Sequence, residues 1–132
     1  MSINTNKNSR FRTTNVQALT TGTEVTLYKC PANCKGMVEL LYISNVSSGN
    51  ATVDVEFYRD DTTTDNGTGQ PNGSHVHILG SKNMASGDFI QWADGFIVLE
   101  PNDTITLTTT GTGTIHVDGM LTVEEFFLPI GG

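Results

Sequence analysis

The chain has 132 residues with a formal net charge of −7 and 36% hydrophobic residues, enough for one domain with its own core and no need of covalent staples. No apolar run reaches membrane-spanning length, and the first residues, MSINTNKNSRFR, carry charge without the apolar stretch of a signal peptide, so folding in a cytoplasm with no membrane partner is expected. Lys7, Arg10 and Arg12 stand in a segment with no acid before Glu24, whereas residues 24–132 hold all 14 acids against four basic residues; so acidic a body argues against nucleic acid, whose binding needs clustered Lys and Arg.

Residues 1–22 are polar and show no period, which predicts a flexible N-terminal arm. Its basic residues could lie on an acidic protein surface or be solvated. A β-sandwich domain is expected from 23 to 126. There, apolar residues alternate with period two in Val25 and Leu27; Val38, Leu40 and Tyr42; Ala51 to Phe57; and Val76 and Ile78. The pattern continues in Ile90 and Trp92; Ile97 and Leu99; Ile105 and Leu107; and Ile115 to Val123. Twenty threonines, 14 glycines and turn signals such as Ser48-Gly49-Asn50 and Pro101-Asn102-Asp103 separate about eight strands with no helical window between them. The fold class is therefore all-β, an antiparallel two-sheet sandwich. Residues 127–132 form a C-terminal tail, and the apolar Phe126-Phe127-Leu128-Pro129-Ile130 either folds back over one end or docks on a neighbouring subunit.

Candidate chemistry is sparse. Cys30 and Cys34, in KCPANCKG, are read as thiols at a corner between strands rather than a redox or zinc motif, with a disulfide as the alternative. His75 and His77 share one strand face, and His116 and Asp118 make a similar pair, yet each falls short of a three- or four-ligand metal site. Asp61, Thr63 and Asp65 sit at odd positions of a calcium-like loop, but its glycine is Gly67, one place late, and Asn72 stands where the bidentate acid belongs. The stretch 60–73 is instead expected as the longest exposed loop, with Asp61, Asp65 and Asn66 as its partner-facing residues. Tyr42 and Trp92 fall on inward phases, which leaves Tyr58 as the exposed ring a sugar could stack on. No nucleophile elbow, phosphate loop or dinucleotide fingerprint appears, so neither a catalytic residue nor a cofactor is expected.

The order of motifs carries a resemblance. A Thr-rich arm leads to TEVTLYKCPAN; LLYISNVS and NATVDV follow; GFIVLEPNDTI and IHVDGMLTVEE close the domain. This resembles the small jelly-roll-like virion structural proteins of tailed bacteriophages, including capsid decoration or cement proteins, and covers roughly residues 23–124. The resemblance implies a non-enzymatic virion protein, assembled in the host cytoplasm, whose partners are the major capsid protein or other virion proteins. It implies a homo-oligomer, with a trimer favoured, and leaves a neck, tail or fibre position as the alternative; a carbohydrate-binding module is a further one. Lys7, Arg10 and Arg12 would then lie on the acidic shell surface or a neighbouring subunit, and Phe126, Phe127 and Ile130 would anchor the contact between protomers. Deleting residues 1–12 would weaken attachment and leave the sandwich folded.

Overall fold

The computed structural model describes residues 8–59 and 75–129, the side chains of residues 75, 94 and 96 excepted. Among these residues eight strands follow one another: β1 (Ser9–Leu19), β2 (Glu24–Lys29), β3 (Cys34–Asn45), β4 (Ala51–Tyr58), β5 (His75–Met84), β6 (Phe89–Leu99), β7 (Thr104–Thr110) and β8 (Val117–Phe127). They pair antiparallel in two four-stranded sheets, ordered β1-β8-β3-β6 and β2-β7-β4-β5. This winding is the eight-stranded jelly roll of two Greek keys. Apolar alternation drives it: Val38, Leu41, Ile43, Leu121 and Val123 of the first sheet meet Leu27, Val53, Val55, Ile105 and Leu107 of the second in one buried core.

Two glycines permit close approach, Gly36 between neighbouring side chains of the first sheet and Gly119 between the two sheets. A Cβ on Gly36 would lie 2.9 Å from Val123 Cγ1, and one on Gly119 would lie 2.8 Å from Leu107 Cδ2. A buried asparagine ties the β3 end to its surroundings: Asn45 Nδ2 donates to the carbonyls of Gly49 and Met84, each at 2.9 Å, and its Oδ1 accepts the Ser47 N–H at 2.9 Å. At the turn before β7, Asn102 adopts φ 70° and the buried Asp103 carboxylate accepts the Glu100 N–H at 2.8 Å.

Three expectations change here. Residues 9–19 do not belong to an arm; they are β1, an edge strand paired with β8 from Ser9↔Phe126 to Val16↔Gly119. Apart from Val16 and the buried Leu19 this strand contributes little to the apolar core, so it needs no hydrophobic period. Leu40 and Tyr42 point outward, not inward, because the register slips between Val38 and Leu40 and passes the inward phase to Leu41 and Ile43. The runs at Ile90 and Ile97 belong to one strand, β6, interrupted by a bulge with Gly95 at φ 65°.

Candidate interaction face

The pairing registers arrange the outward residues of the first sheet in cross-strand rows. One row runs Phe11, Glu124, Met37, Val98; the next Thr13, Thr122, Leu40, Ala93; the third Asn15, Met120, Tyr42, Gln91. Phe126 extends this surface at one end, and Phe89 at the other stacks on Tyr42 with ring centroids 5.8 Å apart. Phe11 and Phe89 are each 60% exposed and Val98 is 52% exposed, so large apolar groups stand in solvent across the whole sheet.

The outward rows of the second sheet are of opposite character. They run Thr26, Thr106, Glu56, His77, then Glu24, Thr108, Asp54, with Thr110, Thr52 and Asn83 beyond. Their polar groups bond to one another: Tyr58 Oη donates to Glu24 at 3.3 Å and to Glu56 at 3.2 Å, Thr106 Oγ1 donates to Glu24 at 3.0 Å, and His77 Nε2 lies 3.1 Å from Glu56. Burial and the two carboxylates push the Tyr58 phenol up to about 12. Tyr58 is thus a half-buried member of a polar network rather than a free-standing ring.

At the β1/β8 corner the charged residues converge. Glu125 is fully buried, accepts a hydrogen bond from Tyr28 Oη at 2.5 Å and one from Arg10 Nε at 2.7 Å, and has Arg12 Nη1 at 3.9 Å. Burial alone would raise the Glu125 carboxyl, but these hydrogen bonds and the two guanidinium charges outweigh it and hold the group below its ordinary range. The same burial, with the Glu125 bond, drives the Tyr28 phenol up. The Arg10 guanidinium also lies 5.2 Å from the Phe127 ring centre. Of the residues expected at a partner contact, Arg10, Arg12 and Phe127 therefore converge at one corner, while Phe126 lies at the same end of β8 on the outward face. The arginines' first partner is the chain's own Glu125, which continues the inward phase of Leu121 and Val123. That phase marks it as a buried acid in need of a counter-charge, whereas the identity of the arginines that supply it depends on β1 lying beside β8.

The remaining candidates are dispersed. Lys7, Asp61, Asp65, Asn66 and Ile130 lie outside the described residues. Asp118 Oδ1 accepts the N–H of Ala18 at 2.7 Å on the first sheet, far from His77 on the second, while the His116 backbone is bonded to Ser47. Among the described residues no group of three or more His, Cys, Asp or Glu side chains could hold a metal ion. Cys30 and Cys34 are free and buried, with Cys30 Sγ 3.4 Å from the Cys34 carbonyl; burial and then Cys34 push the Cys30 thiol up to about 11, which makes it a poor nucleophile. Where edges β5 and β6 part, a cleft of about 510 Å³ opens toward Trp92, Ile90, Leu79 and Met84, with Lys82 and Asp88 at its rim.

No family model matches the chain, and no curated protein does. Solved structures do. The infectious bursal disease virus VP2 subviral particle aligns over 90% of this chain at 12% identity with a TM-score of 0.51, and this chain spans 33% of VP2. A chain of the disulfide-linked pili of Bacillus endospore appendages aligns over 98% of this chain and 96% of its own length, at 14% identity and a TM-score of 0.49. The capsid of Helicobacter pylori bacteriophage KHP30 aligns over 93% of this chain and 90% of that chain, at 13% identity and a TM-score of 0.43. The likeness to VP2 is one of fold: the chain is a jelly-roll β-sandwich.

Proposed function

We propose that the chain is a non-enzymatic structural protein of a virus particle, a decoration or cement protein that lies on the shell through the outward face of its first sheet and stabilises it. The observation that carries this is the contrast between faces: rows of Phe11, Met37, Val98, Leu40, Met120 and Tyr42 on one sheet, rows of threonines and acids on the other. A surface of the first kind marks an interaction site, and a particle offers a repeated partner to cover it. The jelly-roll fold shared with VP2 and the motif order of phage virion proteins support the same reading.

The test uses purified particles of the phage that encodes the chain, with and without it. Decoration requires a copy number matching the shell lattice and loss of the protein must lower the temperature of genome release. Presence in only a few copies would move the protein to the neck or tail, and absence from the particle would overturn the proposal. Phe11→Ser combined with Val98→Ser should reduce occupancy at least tenfold, whereas Thr108→Lys on the opposite face should leave it unchanged.

A further inference from the structure

Among the described residues the two open sheets leave four edge strands, and an exposed edge accepts a further strand unless it is blunted. Three of the four are blunted. β6 is bulged between Ala93 and Ile97, β5 shifts register twice between Val53 and Glu56 of its neighbour, and β2 is six residues long, bulged after Thr26, with its Leu27 carbonyl taken by Thr14 Oγ1 at 2.6 Å. β1 differs. From Ser9 to Val16 it runs eight residues in unbroken register, without proline or acid, and among the described residues nothing pairs with its outer edge.

The backbone groups on that edge can be assigned. The Asn8 carbonyl accepts the Phe127 N–H at 2.8 Å, so with antiparallel alternation the even-numbered residues turn their backbone groups to β8. Ser9, Phe11, Thr13 and Asn15 then present theirs to the open side.

We propose that this edge pairs with the same strand of a second copy, β1 against β1 antiparallel about a two-fold axis, joining two first sheets into one of eight strands. A second copy offers the same open donors and acceptors in antiparallel sense, and charge sets where and in what register two copies can meet. The chain carries −7, so two copies repel least where neither presents an acid; of the edges only β1 and β5 carry none, β5 is broken by its register shifts, and β1 has its two arginines drawn inward to Glu125. Charge also fixes the register. An axis at Arg12 sets Arg12 opposite its own copy, and an axis at Phe11 sets Arg10 opposite Arg12, both unfavourable. An axis at Asn15 or beyond runs into the irregularity after Val16, and one at Thr14 keeps only the short run 12–16. An axis at Thr13 pairs Arg12 with Thr14, Arg10 with Val16 and Phe11 with Asn15, and uses the regular stretch 10–16.

Such an interface is isologous and closes as a pair, and it makes the two apolar outward faces continuous. It is independent of the shell-binding role and is read on the free protein. The full chain should show the mass of two copies by light scattering coupled to size exclusion. Thr13→Pro removes an edge-facing N–H but no β1/β8 ladder bond, so it should stay folded by circular dichroism and raise the dissociation concentration at least tenfold. Thr13→Cys should form a disulfide-linked dimer on mild oxidation, since paired Cα atoms at about 5.5 Å lie within disulfide reach. Thr108→Cys on the second sheet should not. A mass of one or of three copies across the concentration range, or no cross-link from Thr13→Cys, overturns the proposal whatever the proline variant does.

Discussion

Glu125 is a carboxylate with no exposed surface, and it is kept ionised by one phenol and two guanidinium groups. Removing the phenolic donor by Tyr28→Phe leaves the charge with a lone strong hydrogen bond, and the loss of a bond to a charged group should destabilise the fold by about 1.5–3 kcal/mol in urea unfolding. The pH dependence follows from the lowered Glu125 pKa. Above its ordinary value of 4.5 the carboxyl is ionised in both folded and unfolded chains and its stabilising contribution is complete. As pH falls below that value the unfolded chain takes up the proton first, so the contribution drains away as pH approaches the depressed folded value. Tyr28→Phe, which removes the first of the bonds that depress it, should therefore move acid unfolding to higher pH, measured by circular dichroism between neutral and acid conditions. Arg10 was legible in the sequence as a residue with a partner; that the partner sits inside the same chain was not, because the two are 115 positions apart.

At the scale of elements, the strands that bury one face were legible and the one that buries little was not. Val53 and Val55 alternate with Thr52 and Asp54 and are fully buried, as the period demands, whereas β1 has too few inward apolar side chains to leave a period. Bulges are equally silent in a hydrophobic pattern, and the one at Glu39 turned Tyr42 from an expected core residue into part of the outward face. Because β1 is an ordered strand, deleting residues 1–12 removes its first third and both guanidinium groups from Glu125, so the shortened chain should unfold at a lower temperature in calorimetry. Within elements, close approach sets the cost of change. Gly36→Ala presses a methyl against the stiff Val123 side chain and should destabilise by about 1–3 kcal/mol. Asn45→Ala strips two carbonyls and an N–H of their partner and should cost at least about 2 kcal/mol, both read from urea midpoints.

For the molecule as a whole, the two-sheet sandwich followed from period and turn chemistry, but which outward face is apolar depends on the strand order β1-β8-β3-β6, and strand order leaves no mark on local sequence. Phe11, Met37, Val98 and Met120 are scattered over more than a hundred residues and become a surface only when four strands align them. The cysteines contribute differently: enclosed and raised in pKa, they should both titrate slowly with a thiol reagent in the native protein and at once in denaturant, and a count below two after unfolding would reveal a disulfide.

The Arg10–Glu125 contact also sets an order in time. On a ribosome Arg10 emerges early and its partner only after another 115 residues, so the first strand has no ladder to join and no carboxylate to meet until the last strand has been made. Nearly the entire domain must therefore be synthesised before the first sheet can close, and a nascent chain arrested before residue 125 should leave β1 open to protease while the β4/β5 hairpin is already able to form.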